Sequence, residues 1–171
     1  MSGTEQSAQF EQMVLPHLDA AYNLARWLAG NDHDAEDITQ DACVRALRFV
    51  GGFRGGNSRS WLLTIVRNTA FTWLKKNRPQ AIVSIDDDEL AEIEDKVASD
   101  SALRSADKEV LRAALADLPL EFREALVLRE LEGLSYKEIA EVAEVPVGTV
   151  MSRLARARRL LQEHLNRKER S

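Results

Sequence analysis

The sequence predicts an all-α protein, two small helical domains joined by an acidic, flexible linker. Three observations carry this. Apolar residues recur at mixed spacings of three and four through most of the chain, as amphipathic helices require. The 171 residues include only 8 glycines and 4 prolines, too few for many short strands with tight turns. From about 80 to 106 the apolar pattern fails and acids dominate, which sets a domain boundary there.

The first predicted helix covers about 8–29, with Phe10, Met13, Val14, Leu18, Ala21, Tyr22, Leu24, Ala25 and Leu28 on its apolar side. Gly30 ends it, in the position that favours a left-handed residue. A second helix starts near Asp34, where Asp34, Glu36 and Asp37 suit the positive end of a helix dipole. It runs through Ile38, Ala42, Leu47 and Phe49. Four glycines at 51, 52, 55 and 56 mark a loop. Asn57 or Ser58 caps the third helix. Leu62, Ile65, Val66 and Trp73 face inward on it, while Thr64, Arg67, Asn68, Phe71, Thr72 and Lys75 face outward. Arg78-Pro79 stops it, because a residue before proline is pushed out of the α region. The predicted domains are 8–79 and 107–167, with 80–106 as the linker.

Composition excludes several classes. At 44% apolar residues a packed core is affordable, and wholesale disorder is not expected. No apolar run approaches the roughly 20 residues of a membrane span, so no membrane insertion is expected. Met1–Gln12 lacks the basic and apolar stretches of a secretory signal. A single cysteine, Cys43, excludes an internal disulfide framework and reads as a small apolar residue. These features place the chain in the cytoplasm. His17, His33 and His164 are far apart with no partner at ligand spacing, and no phosphate-binding glycine loop is present. No catalytic residue, metal site or cofactor is predicted, and the chain reads as a non-enzyme.

Net charge is −5, yet its distribution points to polyanion partners. Residues 1–44 carry 1 basic and 8 acidic side chains, 45–80 carry 8 basic and none acidic, and 81–109 carry 3 and 10. The segment 148–171 carries 7 basic against 2 acidic. Two basic blocks separated by acids suggest two polyanion-facing surfaces.

The strongest local pattern runs from Leu134 to Leu154. Ser135 and Glu138 match a capping box, with Ile139, Ala140 and Ala143 as the buried stripe that follows. Pro146 forces a break, and a last helix starts at Val147 or Gly148. Val150, Leu154, Ala157 and Leu161 repeat on one face of it, with Thr149, Ser152, Arg153, Arg156 and Arg159 opposite. Two short helices around a tight turn, the second polar and basic at its start, fit the major groove of DNA.

These motifs together resemble the extracytoplasmic-function (group 4) sigma factors of bacterial RNA polymerase, in the sigma-70 family. Leu118-Pro119, Arg123-Glu124-Ala125-Leu126, Gly133 to Ala140, Pro146 to Val150 and Ser152-Arg153-Leu154 with Arg156-Ala157-Arg158 resemble region 4. Asp34 to Asp41 with Arg45-Ala46 resemble region 2.2. Phe53-Arg54-Gly55-Gly56 and Trp61-Leu62, Ile65 and Arg67-Asn68 resemble regions 2.3 and 2.4. The resemblance covers about 10–79 and 107–165. Glu144 stands where the family often has glycine, and Met151 and Ala155 where many members carry lysine, arginine or a larger side chain.

The resemblance implies three surfaces. Asp34, Glu36, Asp37, Gln40, Asp41 and Arg45 would bind the largest subunit of core RNA polymerase. Asn57, Ser58, Arg59, Trp61, Arg67, Asn68, Phe71, Thr72, Lys75 and Lys76 would hold the melted minus-ten strand, with a flipped base near Asn57, Ser58 and Arg59. Ser135, Tyr136, Lys137, Thr149, Met151, Ser152, Arg153, Arg156 and Arg159 would face the minus-thirty-five duplex, with Ser152, Arg153 and Arg156 at base edges and Thr149, Arg159 and Ser135 at phosphates. Asp86, Asp87, Asp88, Glu89, Glu92, Glu94 and Asp95 would mimic nucleic acid in the cleft formed with the second-largest subunit, or serve only as a spacer. Promoter DNA and an anti-sigma factor are the remaining partners. Melting would draw on binding energy alone. Two other classes fit less of the chain. An ordinary helix-turn-helix regulator leaves 34–78 unexplained, and a decoy that only sequesters an anti-sigma factor needs neither Arg153, Arg156 nor the Arg67–Asn68 pair.

Overall fold

The computed structural model describes residues 3–53, 55–82, 85 and 107–169. No strand occurs among them. The chain divides into two compact units, Met1–Arg78 and Pro79–Ser171.

In the first unit α1 is Gly3–Val14, α2 is Leu18–Ala29, α3 is Asp32–Phe49 and α4 is Ser58–Asn77. The periodicity predicts one helix over 8–29, but the structure breaks it at a 3-10 turn, Leu15–His17. The reason is Pro16, which has no N–H to give and whose ring crowds the carbonyl four residues back. Gly30 closes α2 at φ +87°, its N–H bonded to the Arg26 carbonyl at 2.8 Å. Asn31 caps α3 by accepting the Asp34 N–H at 2.9 Å, and Asn57 caps α4 by accepting the Ser60 N–H at 3.2 Å.

α2 packs on α3 and α4, and α3 on α4. Leu24, Leu28, Ile38, Leu62, Leu63 and Val66 are fully buried between them. Each such side chain contributes about 1.5–3 kcal/mol, against about 1 kcal/mol for a cap, so the stripe decides the packing and the caps set its ends. Buried Thr69 satisfies its hydroxyl by donating to the Ile65 carbonyl at 2.7 Å.

The inward line of α3 becomes defined, and the expected inward line of α4 shifts. On α3 the buried line is Ala35, Ile38, Ala42, Ala46 and then Val50, so Leu47 and Phe49 are exposed. Once Ile38 sets the register, helical spacing falls on the small residues rather than the large ones. On α4, Ile65 and Trp73 are only half-buried, and Leu63, Ala70 and Leu74 take the inner positions. Cys43 is likewise half-buried, and burial pushes its thiol pKa up.

In the second unit α5 is Lys108–Ala116, α6 is Leu120–Leu126, α7 is Tyr136–Ala143 and α8 is Val147–Glu169. α6 runs on into a wider π turn, Val127–Leu131. α8 packs along α6 and against α5 and α7. Arg123 is buried and its guanidinium donates to the carbonyls of Leu115, Ala116 and Leu118 at 2.8, 3.0 and 3.0 Å. One arginine thus serves orphaned acceptors around the α5–α6 turn. The Ser135–Glu138 capping box forms at 3.1 and 2.9 Å. Glu144 ends α7 at φ 58°, ψ 47°, in the left-handed region. The linker acids Asp86, Asp87, Asp88, Glu89, Glu92, Glu94 and Asp95, and Arg54, lie outside the described residues.

Candidate functional site

Three surfaces can be built from these elements. The first lies on α3. Glu36, Asp37, Gln40 and Asp41 are exposed and Arg45 is half-buried. Spacing of four puts Asp37, Asp41 and Arg45 along one side, and Arg45 pairs with Asp41 at 3.3 Å. Val44, 50% exposed, borders that side, and Leu47, 40% exposed, lies beyond it toward Gln40. Asp34 behaves differently. Its carboxylate accepts from Asn31 Nδ2 at 2.9 Å and stands 3.4 Å from the Arg78 guanidinium. Arg78 also donates to the Ala29 carbonyl at 2.5 Å, so it joins the ends of α2 and α4 to the start of α3.

His33 is not isolated. Its ring is 3.9 Å from Asp37, and ligand atoms of His33, Asp34 and Asp37 lie within 4.8 Å of one another. The spacing of four between His33 and Asp37 is the local signal for it. Arg78 and Asn31 already engage the Asp34 carboxylate, and the His33–Asp37 pair is exposed, so ion pairing accounts for this group.

The second surface is the start and outer side of α4. Phe53 and Trp61 meet with ring centroids 5.5 Å apart at 59°. Asn57 is exposed; Ser58 and Arg59 are half-buried. His17 Nε2 lies 3.3 Å from Ser58 Oγ, a contact across 41 residues that no local pattern announces. Burial, then the Arg59 charge, lowers the His17 pKa and favours the neutral ring. Farther along, Arg67 lies over the Phe71 ring at 3.8 Å and donates to Asn68 Oδ1 at 3.2 Å. Arg67, Asn68 and Phe71 therefore form one cluster, with Thr72, Lys75 and Lys76 exposed beyond it.

The third surface is the turn between α7 and α8. Ser135 and Lys137 are exposed, and Tyr136 is half-buried beneath the Arg129 guanidinium at 4.7 Å. On α8 the inner line Val150, Leu154, Ala157 and Leu161 is buried as periodicity predicts. The outer line is not uniform. Arg153 is only 7% exposed, which corrects its placement on the outer face. Successive helical residues advance about 100°, and Arg153 sits beside Leu154 and Ala157 rather than opposite them. Arg156 is half-buried with its Nε sealed from solvent, and Arg159 is exposed. Ser152 donates its hydroxyl to the Gly148 carbonyl at 3.0 Å.

Beneath this surface Arg158 makes a two-pronged contact with Glu130 Oε1 at 2.6 and 3.1 Å, the side chains 11% and 9% exposed. Burial opposes the Arg158 charge, but Glu130, and Tyr136 behind it, outweigh that and raise its pKa.

Two family models match the chain. The family model for Sigma-70 region 2 matches residues 13–80, and that for Sigma-70, region 4 matches 108–161. The RNA polymerase sigma-H factor of Pseudomonas aeruginosa is 34% identical over 165 residues, covering 91% of this chain and 86% of that one. The chain belongs to the ECF sigma factors of the sigma-70 family.

Other relatives agree. The ECF sigma factor SigW of Bacillus subtilis is 31% identical across 91% of this chain and 88% of its own. The ECF sigma factor SigE of Mycolicibacterium smegmatis is 38% identical, and here the match spans 61% of the relative's length. Among solved structures, the sigma factor RpoE bound to the anti-sigma factor NepR from Bartonella quintana has a TM-score of 0.72 at 30% identity, covering 92% and 96% of the two chains. CnrH in complex with the cytosolic domain of CnrY has a TM-score of 0.64 at 27% identity, covering 92% and 87%. As a sigma factor the chain binds core RNA polymerase and promoter DNA to start transcription. Its family is one of transcription initiation factors, and no helix among the described residues is long and apolar enough to cross a membrane.

Proposed function

We propose that three separate surfaces of this sigma factor carry its work. The α3 side with Glu36, Asp37, Gln40, Asp41 and Arg45, extended by Val44 and Leu47, docks on core polymerase, and its acids steer the encounter. The start of α4 with Asn57, Ser58, Arg59 and Trp61 receives unstacked bases of the minus-ten strand, and Arg67, Asn68, Phe71, Thr72, Lys75 and Lys76 follow its backbone. The α7–α8 turn lies on the minus-thirty-five duplex, with Lys137, Thr149, Ser152, Arg156 and Arg159 outward. Residues 8–79 and 107–167 act as the two domains and 80–106 as their linker.

The observation that carries this reading is the pairing, in one chain, of a region 2 match and a region 4 match, each ending in a helix with basic side chains outward. A plain helix-turn-helix regulator leaves the first match without a role. The chain acts in the cytoplasm, where polymerase and promoters are, and performs no reaction of its own. An anti-sigma factor controls it, as NepR is the anti-sigma factor bound to the similar RpoE of Bartonella quintana. Run-off transcription with core polymerase, on duplex and on pre-melted promoter templates, tests the reading. Initiation on both supports it. No transcription and no association with core polymerase overturn it.

A further inference from the structure

Resting on the placement of α8 in the major groove, we propose that Val147 and Met151 read the 5-methyl groups of thymine in the minus-thirty-five element. Two of the three polar side chains expected to read bases are withdrawn from that role. Arg153 is 7% exposed and the Ser152 hydroxyl is spent on the Gly148 carbonyl, which leaves half-buried Arg156 as the remaining polar reader. Ser152 can then only accept, from an adenine or cytosine amino group.

What the first turns of α8 do present is apolar. Val147 is 41% exposed and Met151 is 44% exposed. Four residues apart, they share one side of the helix, about 6 Å apart along its axis. Exposed apolar side chains at the N-terminal end of a groove-entering helix have one apolar feature to meet there, the thymine methyl. Gly148 flanks the pair, and a Cβ on it would meet nothing within 4 Å.

Charge selects DNA over a protein as occupant. Residues 148–171 hold 7 basic side chains against 2 acidic ones, and Lys137 and Arg159 are exposed on α7 and α8. A polyanion bearing small apolar groups suits that mixture, and thymine-containing duplex is such a ligand. A Met thioether adapts its shape to the methyl it meets. Members with lysine or arginine at this position would read guanine instead.

The test uses holoenzyme and a duplex selected by it from a pool randomised in the upstream element. That duplex is remade with deoxyuridine in place of each thymine in turn, which removes only the methyl. One or two substitutions should weaken binding about fourfold each, the effect of exposing one methyl group. Met151→Ala should weaken binding to the thymine duplex and erase the difference at one position, and Val147→Ala should do so at its neighbour. Met151→Leu should retain the difference, and all variants should melt at the wild-type temperature because both sites are exposed. Equal affinity for every deoxyuridine duplex, or a selected element without thymine, overturns the inference while leaving duplex reading intact. Failure to select any upstream sequence overturns the placement of α8 and the inference with it.

Discussion

The Arg78 guanidinium stands 3.4 Å from the Asp34 carboxylate, and this pair separates one acid of the α3 cluster from the others. Asp34 and Arg78 are 19% and 35% exposed, and Arg78 also serves the last carbonyl of α2, that of Ala29. Among the described residues Asp37 and Asp41 pair within their own helix, with exposed His33 and half-buried Arg45. The same charge change should therefore have different consequences within one stretch of seven or eight residues.

Asp37→Lys combined with Asp41→Lys should weaken association with core polymerase tenfold or more and leave stability nearly unchanged. Asp34→Ala or Arg78→Ala should instead lower stability by about 1–2 kcal/mol, the sum of a hydrogen bond and a partly exposed ion pair. Urea denaturation and a polymerase-binding titration on the same variants separate the two effects.

The Arg158–Glu130 pair should behave as a buried one. Removing either partner alone, as Arg158→Met or Glu130→Leu, should cost about 3–5 kcal/mol by leaving a charge without its counter-ion. The double variant should recover most of that loss. Calorimetric unfolding of all three gives the coupling directly.

Glu144 holds a left-handed conformation that costs a residue with a Cβ about 1–2 kcal/mol. Glycine avoids that strain but loses about 0.5–1 kcal/mol more in chain entropy on folding. Glu144→Gly should therefore stabilise the protein by about 0.5–1 kcal/mol, and Glu144→Ala should not. Thermal melting distinguishes the two.

His17 should make stability depend on pH. Its folded pKa lies below the ordinary 6.5, through burial and then the Arg59 charge. Below 6.5 the unfolded chain takes up a proton that the folded one resists, so stability should fall as pH drops from 6.5 toward the lowered value. Above 6.5 no such loss occurs. Urea midpoints at several pH values, compared between wild type and His17→Gln, should show a shallower acid slope in the variant.

Helices α3, α4, α7 and α8 were legible because their information is local. Asn31, Asn57, Ser135 and Glu138 each cap a helix within a few residues of themselves, and Val150, Leu154, Ala157 and Leu161 mark one face by spacing alone. The break at Leu15–His17 was local as well, since Pro16 announces it once its missing donor is counted. The charge blocks, the acidic stretch at 80–106 and the motifs of both sigma regions are equally local in the residue order.

Which charged residues remain available to a partner was set by how the helices pack. Asp34 is drawn into a junction by Arg78, which is 44 positions away in the numbering, and His17 reaches Ser58 across 41. Arg123 and Arg153 look like surface basics in a sequence, yet both are buried. The physical reason is that periodicity fixes the angle of a side chain about its own helix but not what is packed against that angle. A long arginine can bury its stem and satisfy its guanidinium on carbonyls or acids of another element, and that choice exists only once the helices have met.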